Sequence, residues 1–216
     1  MYERAEYMLH REFVPREDEV VFDVGAYVGL YSLWASKLVG EQGFVVAFEP
    51  NPESYYWLKN NISLNRASNI YALPYALGDY IGVAKLYVPR INIEASSLIP
   101  QHIIRNPQGD LGILKSFNVP IITLDHFLAK ANKLIGRRVE SIDILKIDVE
   151  GYELKVLMGS REALSRGIIN RLVIEVHIDQ VKTQDLINFL NEYNYKAVGV
   201  KRFNQVKDMV YLKLSK

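Results

Sequence analysis

The chain has 216 residues, which fits one α/β domain of ordinary size. Lys and Arg number 26 and Asp and Glu 25, so the net charge of +1 argues against nucleic acid and anionic membranes as partners. The absence of cysteine excludes disulfides, thiolate metal sites and cysteine nucleophiles. No apolar run approaches the roughly 18 residues of a membrane span, and the charged start is unlike a signal peptide. We therefore expect a cytoplasmic protein; the sequence does not predict its oligomeric state.

The hydrophobic pattern predicts strands that alternate with helices. A helical N-terminal segment over 1–18 precedes a single domain over 19–216, which contains an irregular insertion at about 89–116. The predicted strands are 20–24, 44–48, 70–77, 83–88, 119–124, 142–149, 172–176, 196–200 and 209–214, with 83–88 returning antiparallel to 70–77. The predicted helices are 30–39, 52–64, a short one from 125, 152–166 and 183–193. This order favours a mostly parallel sheet with helices on both faces.

Ligands of such sheets bind beyond the carboxyl ends of the strands, and carboxylates gather there in this sequence. The first strand runs into a turn from Asp23 to Gly29, in which Gly25 permits close approach of a ligand and Gly29 eases helix packing. Tyr27 replaces the middle glycine of the dinucleotide fingerprint, which counts against NAD. Glu49 ends the second strand and can accept hydrogen bonds from both ribose hydroxyls.

A glycine turn with an acid on the second strand, and no provision for a pyrophosphate, predicts S-adenosylmethionine as the ligand. Asp23 could balance the sulfonium or ammonium charge of that ligand. The alternative is a strand–turn–helix unit whose acids cap helices and bind no ligand.

Several segments together resemble the FkbM-type family of S-adenosylmethionine-dependent methyltransferases. They run in the family's order, and Tyr27 departs from the Asn that the family commonly has. The matching segments are VFDVGAYVGLYSL (21–33), FEPNP (48–52), LKNN (58–61), ALGD (76–79), SSL (96–98), ITLDHFL (122–128), LKIDVEGYELKVLMG (145–159) and IEVH (174–177).

The resemblance implies a class I methyltransferase sheet of seven strands with the last one antiparallel. It also implies methyl transfer to a hydroxyl oxygen of a small acceptor, typically a sugar or a secondary metabolite. Carried over by motif, Asp23 and Gly25 lie by the methionine part, Glu49 by the ribose, and Asp148 between methionine and acceptor. The full set of predicted cofactor contacts is Asp23, Gly25, Ala26, Tyr27, Gly29, Glu49, Asn51, Ala76, Leu77, Gly78, Asp79 and Asp148.

Three strand-end residues are candidates for catalysis, because an alcohol acceptor needs a base to remove its proton. His177 is the first candidate and Asp148 the second, and period-two alternation places Glu175 on the same strand face as His177. The alternatives are a hydrogen-bonded structural histidine and helix capping by Asp148 or Glu150. Imidazole and carboxylates suit Mg, Mn or Fe. The sequence shows no tight ligand cluster, so no metal site is predicted.

The insertion at 89–116 contains Ser96, Ser97, His102, Arg105 and Asn106. We expect it to close over the acceptor, the alternative being a surface loop. Other functions that stay open from the residues are an NAD-linked oxidoreductase, an RNA methyltransferase and a catalytically silent cofactor-binding module on the same fold.

Overall fold

A computed structural model describes residues 10–104, 111–204 and 207–215. The ten strands are β1 (Val20–Val24), β2 (Phe44–Phe48), β3 (Ile70–Leu73), β4 (Ala76–Leu77), β5 (Gly82–Pro89), β6 (Ile113–Ile122), β7 (Ile142–Ile147), β8 (Ile169–His177), β9 (Tyr195–Arg202) and β10 (Lys207–Leu214). The α-helices are α1 (Leu30–Val39), α2 (Pro52–Leu64), α3 (Pro100–Ile104), α4 (Leu124–Ile135), α5 (Glu153–Met158), α6 (Arg161–Ser165) and α7 (Thr183–Asn191). Among these helices none is long and apolar enough to cross a bilayer.

Seven strands form the central sheet, in the order β3-β2-β1-β7-β8-β10-β9. The strands β1, β2, β3, β7 and β8 pair in parallel, and β10 is antiparallel to both of its neighbours. The predicted seven-stranded, mostly parallel sheet with an antiparallel last strand is confirmed. Strand order reverses at β1, between β2 and β7, and this is where a ligand crevice forms in such sheets.

Apolar side chains cover both faces of this sheet, as expected for parallel strands buried on two sides. On one face the rings of Phe22, Phe48 and Phe127 meet, with the Phe48 and Phe127 centroids 5.0 Å apart. On the other face Phe13 packs edge-on against Tyr211 at 5.2 Å. The rigid core holds the strand ends, and therefore the residues that follow them, in fixed positions.

Local side-chain bonds set the helix starts next to the sheet. The Asn51 side chain accepts a hydrogen bond from the Glu53 N–H at 3.0 Å, with Pro52 in the first turn of α2. The Thr123 hydroxyl accepts one from the His126 N–H at 3.0 Å at the start of α4. The chain therefore enters both helices at a defined angle directly after a strand end.

Several elements differ from the predicted ones. The predicted strand 70–77 is two strands in different sheets, because Pro74 has no N–H to continue the ladder. The strand predicted to return onto it, now β5, instead pairs antiparallel with β6, and β4 pairs in parallel with the other edge of β6. The predicted helix 152–166 is divided into α5 and α6 at Gly159 and Ser160. A Cβ on Gly159 would lie 1.8 Å from the Gly78 carbonyl oxygen.

The predicted insertion is shorter than 89–116, because β5 extends to Pro89 and β6 begins at Ile113. Between them lie a 3₁₀ turn over Ile93–Ala95 and the helix α3, while residues 105–110, with Arg105 and Asn106, lie outside the described residues. In the predicted helical segment 1–18, residues 1–9 lie outside the described part, and Arg11–Phe13 forms a 3₁₀ turn.

Candidate active site

A cavity of about 410 Å³ opens at the carboxyl ends of β1, β2, β7 and β8. Most of the predicted site residues line it, and they come from separate strand ends that the sheet brings together. The lining residues among them are Gly25, Ala26, Tyr27, Glu49, Ala76, Leu77, Asp148, Glu175 and His177. Five other predicted residues do not line the cavity, namely Asp23, Gly29, Asn51, Gly78 and Asp79.

The turn after β1 depends on glycine. Gly25 has φ +80°, and a Cβ there would lie 1.8 Å from the Asp148 carbonyl oxygen. Tyr27, at the middle position of the fingerprint, also has a left-handed φ of 51° although it is not glycine. The turn therefore keeps a glycine-like path and brings backbone, instead of a side chain, to the cavity wall.

Glu49 is a buried part of this wall that backbone hydrogen bonds hold in place. It is 6% exposed, and its two carboxylate oxygens each accept one backbone hydrogen bond, from the Tyr27 N–H at 2.7 Å and the Asn51 N–H at 2.8 Å. Burial raises the pKa of Glu49 to about 7, against the opposing effect of these two bonds. Each oxygen keeps a second lone pair, so the group can accept two further hydrogen bonds from a ligand in the cavity.

Asp23 lies under the wall of the cavity. It is fully buried, accepts a 2.6 Å hydrogen bond from the Ser32 hydroxyl and pairs with Lys146 Nζ at 3.0 Å. The same Nζ donates to the Gly25 carbonyl at 2.9 Å and lies 3.7 Å from an Asp148 carboxylate oxygen. Asp23 and Lys146 thus form a buried ion pair that fixes the glycine turn and reaches the cavity through Asp148.

Of the residues predicted to lie near the adenine, some line the cavity and others only contact the residues around it. Ala76 and Leu77 face the cavity, whereas Asp79 pairs with Lys155 at 2.7 Å. A Cβ on Gly78 would approach Ile121 at 2.6 Å, so this glycine serves packing. Asn51 caps α2, and its amide nitrogen donates to the Ser96 hydroxyl at 3.2 Å.

A second group of acids and histidines lies at the opposite end of the cavity, and we call it the two-histidine cluster. It consists of His102, Glu150, Glu153, His177 and Asp179, from α3, the loop after β7, the start of α5, the end of β8 and the turn that follows. His177 Nδ1 lies 2.8 Å from a Glu153 oxygen and Nε2 lies 3.1 Å from Glu150 Oε2. Glu150 has φ 52°, a conformation that is rare for a residue other than glycine and occurs at functional sites.

The carboxylates around both histidines favour the charged imidazolium. Although burial alone would lower the pKa of His102, hydrogen bonds with Asp179 and Glu150 raise it to about 9. Burial likewise opposes the charge on His177, yet the carboxylates of Glu150 and Glu153 hold its pKa well above the usual value.

Glu175 borders the cluster and forms an ion pair with Lys207, which the antiparallel register of β10 places opposite His177. Burial, followed by the charge of Asp148, raises the pKa of Glu175 to about 7. The side chain of Asp148 remains 22% exposed towards the cavity and is the most exposed of the three predicted catalytic residues, Asp148, Glu175 and His177.

The sequence analysis missed most of the two-histidine cluster. Helix capping was the alternative expected for Asp148 or Glu150, but Tyr152 precedes α5 without a side-chain cap, and Glu150 contacts His177. Glu153 also contacts His177 and accepts a hydrogen bond from the Gly151 N–H at 2.9 Å. Although the sequence shows no tight ligand cluster, the fold brings possible metal ligands together. Potential ligand atoms of His102, Glu150 and His177 lie within 4.8 Å of one another, as do those of Asp148, Glu175 and His177.

Two serines attach the irregular segment between β5 and β6 to this site. The Ser97 hydroxyl donates to the Glu150 carbonyl at 2.6 Å, and Ser96 contacts the Asn51 side chain. The segment thus covers part of the cavity, and Ser96 and Leu98 line it.

Comparisons with known proteins agree with this geometry. The profile of the methyltransferase FkbM domain matches residues 23–197. Hexuronic acid methyltransferase AglP of Haloferax volcanii is 27% identical over 194 residues, which cover 90% of this chain and 70% of that protein. The 31-O-demethyl-FK506 methyltransferase FkbM of Streptomyces tacrolimicus is 26% identical over 200 residues, 85% of this chain and 75% of that protein.

Solved structures show the same fold. The crystal structure of methyltransferase FkbM from Methylobacillus flagellatus superposes with a TM-score of 0.61 and 18% identity over 91% of this chain, which spans only 43% of that one. A SAM-dependent methyltransferase from Aquifex aeolicus gives a TM-score of 0.57 at 16% identity, covering 100% of this chain and 94% of that chain.

Proposed function

The chain belongs to the FkbM methyltransferase family and uses S-adenosylmethionine as its cofactor, and from this premise we propose that it methylates a hydroxyl oxygen on a sugar or a small metabolite. The assignment favours S-adenosylmethionine over the NAD alternative. The names of the Haloferax and Streptomyces relatives, a hexuronic acid methyltransferase and a 31-O-demethyl-FK506 methyltransferase, support a small hydroxylated acceptor.

The observation that carries the proposal is the position of Glu49. Its carboxylate is buried, held by two backbone N–H groups and turned to the cavity beside the Gly25 turn. The two N–H groups do not by themselves require a carboxylate there, because a neutral acceptor could satisfy them. A ligand with two adjacent hydroxyl donors, such as a ribose, accounts for the retained charge.

The cofactor carries the activated methyl group, and the protein aligns the reacting atoms and excludes water. Held by Glu49 and the Gly25 turn, the cofactor would supply its methyl group to the acceptor oxygen and would leave as the neutral thioether, while the acceptor loses its proton. The hydroxyl proton passes to a base. We assign this role to Asp148, because its side chain is the most exposed of the three predicted catalytic residues, whereas Glu175 is buried and His177 is enclosed by acids.

The cavity wall contains both apolar and polar groups that an acceptor could contact. Leu98, Leu111 and Phe203 line it together with Ser96 and Asn204. A ring with an apolar face and several hydroxyls matches this mixture, since the apolar residues cover the face and the polar groups orient the hydroxyls.

The test combines binding with transfer. Calorimetric titration of S-adenosylmethionine into the wild type should give a saturable 1:1 isotherm, and Glu49→Gln should weaken it by about 10–100-fold, the value of a charge-assisted hydrogen bond. Glu41→Gln, on the exposed surface, is the matched control and should bind like the wild type. Radiolabelled methyl transfer to a panel of uronic acids, neutral sugars and hydroxylated metabolites then identifies the acceptor. Equal affinity of Glu49→Gln and the wild type, or labelling of RNA alone, would contradict the proposal.

A further inference from the structure

Two imidazoles from distant parts of the chain converge on one oxygen atom. His102 Nε2 lies 2.9 Å and His177 Nε2 lies 3.1 Å from the same Glu150 Oε2, and the two rings are nearly perpendicular with centroids 5.0 Å apart. The side chains of both histidines are almost completely buried. Potential ligand atoms of these three residues fall within 4.8 Å of one another.

The outward nitrogens of both rings are held by a second layer of carboxylates. His102 Nδ1 lies 2.8 Å from an Asp179 oxygen, and His177 Nδ1 lies 2.8 Å from a Glu153 oxygen. A carboxylate on Nδ1 fixes the ring orientation and directs Nε2 inward, which is the usual arrangement of metal-binding histidines, and a metal ion bound there takes the place of the Nε2 proton. One carboxylate partner is enough to hold a single buried histidine. Here two histidine–carboxylate pairs face each other.

The separations suit neighbouring ligands of one ion. Atoms bound at roughly 2.0–2.2 Å around a tetrahedral or octahedral centre lie about 3.0–3.4 Å from each other, and the two Nε2-to-Oε2 distances are close to this range. Although His177 Nε2 is within reach of Glu150, it is not aligned for a hydrogen bond with any described residue. This side of the cluster is therefore an ion pair without an aligned hydrogen bond.

The charges around the convergence point also favour a cation. Glu150, Glu153 and Asp179 surround the two rings, and Asp148 and Glu175 approach from the cavity. Lys207 contributes one positive charge, which it shares between Glu175 and Glu150. Buried carboxylates in such number are held by pairing or by a metal ion.

We propose that His102, Glu150 and His177 form a binding site for a divalent first-row transition metal at the acceptor end of the cavity. Two imidazoles with carboxylates suit Zn²⁺, Mn²⁺, Fe²⁺ or Co²⁺, whereas Mg²⁺ and Ca²⁺ prefer oxygen ligands alone. Asp148 and Glu175 form the side of the site that faces the cavity, together with His177. Resting on the proposed function, a metal there would coordinate the acceptor hydroxyl and make its proton easier to remove.

The binding test needs neither cofactor nor acceptor, so its failure is distinguishable from failure of methyl transfer. The full chain, without an affinity tag and stripped by a chelator, is titrated with Zn²⁺ in a calorimeter and with Co²⁺ and Mn²⁺ for spectroscopy. We expect one saturable site, cobalt d–d absorption typical of nitrogen and oxygen ligands, and nitrogen couplings in the pulsed EPR spectrum of bound Mn²⁺. These spectra need only the wild type and do not depend on how variants fold.

Variants then assign the ligands. His102→Gln should abolish saturable binding, and Asp179→Asn, which removes only the outer carboxylate, should weaken it by about 10–100-fold. His126→Gln is the matched control, because this histidine lies on α4 away from the cluster, and its affinity should equal the wild type. Absence of saturable binding by the wild type, Mn²⁺ spectra without nitrogen couplings, or equal affinities of His102→Gln and His126→Gln would overturn the proposal.

Discussion

The two ends of the cavity neutralise their buried acids in different ways. At the cofactor end, Glu49 is held by backbone N–H groups from residues close to its own strand end and to the neighbouring turn. At the acceptor end, Glu150 is surrounded by side chains from α3, β8 and β10. Nearly every residue has a backbone N–H that can donate, whatever its side chain. Neutralisation by side chains instead requires particular residue types at several positions.

This difference predicts different roles for the two ends. At the cofactor end the residues that hold the Glu49 carboxylate can change their side chains, because only their backbone N–H groups contact it. At the acceptor end the contacts to Glu150 depend on the identity of each side chain. Two of these residues, His102 and Ser97, come from the segment between β5 and β6. We infer that the first end serves a ligand common to the family and that the second is adapted to one acceptor.

Asp148→Asn should give the largest difference between the effect on kcat and the effect on cofactor affinity. Removal of the proposed base should lower kcat by about 10²–10⁴-fold, while affinity for S-adenosylmethionine changes much less, because Glu49 and the Gly25 turn are untouched. Steady-state kinetics and calorimetry on the same preparation measure both effects. Asp185→Asn, exposed on α7, is the control. A variant with a normal kcat would remove Asp148 from the proposed step.

Lys146→Met should destabilise the protein by removing the buried ion pair beneath the cofactor end. It leaves Asp23 fully buried without its cation, and loss of one partner of a buried ion pair costs about 3–5 kcal/mol of unfolding free energy. Urea unfolding followed by circular dichroism gives the value. Lys213→Met removes an exposed partner of Glu12 and should leave the midpoint near that of the wild type. If both variants unfold alike, the pair does not stabilise the turn.

Gly25→Ala should damage binding and stability together. The positive φ alone disfavours alanine by an amount of order 1–3 kcal/mol, and the new Cβ would meet the Asp148 carbonyl. We expect a lower melting temperature and weaker cofactor binding. Gly136→Ala also has a positive φ, but no atom lies within 4 Å of its Cβ position, so it should reduce stability while cofactor affinity stays normal. Normal affinity in Gly25→Ala would show that the turn does not touch the cofactor.

The cofactor end could be predicted from the sequence because its determinants are local. Glu49 follows a short apolar strand at the spacing expected from the glycine turn, and parallel pairing of β1 with β2 places the two side by side. The break between β3 and β4 was also readable in principle, since Pro74 interrupts the strand pattern.

The acceptor end could not be predicted in this way. His102 lies in a segment without periodicity, and Asp179 follows β8 in a turn with no strand or helix pattern. Lys207 reaches Glu175 only through the antiparallel register that places it opposite His177. These contacts depend on long-range pairing, which the local spacing of apolar residues does not encode.

The smallest expected effect is a pH dependence confined to the cofactor end. Because burial raises the pKa of Glu49 to about 7, the cofactor-free protein carries an extra proton there between its ordinary pKa of 4.5 and about 7. A protonated acid donates where the ribose hydroxyls need an acceptor. Affinity for S-adenosylmethionine should therefore fall by about tenfold for each pH unit below the pKa, and the stability that protonation of Glu49 adds should be lost as the pH rises through about 7. Calorimetric titrations across this range measure the slope.

Two variants show which end of the cavity causes that slope. Glu49→Gln has no proton to exchange, so its weaker affinity should be independent of pH in this range. Burial also raises the pKa of Glu175 to about 7, but this residue lies at the acceptor end, so Glu175→Gln should keep the wild-type slope for cofactor binding. A slope that disappears in Glu175→Gln and survives in Glu49→Gln would mean that the cofactor's recognition lies at the acceptor end, and the division of the cavity argued above would be wrong.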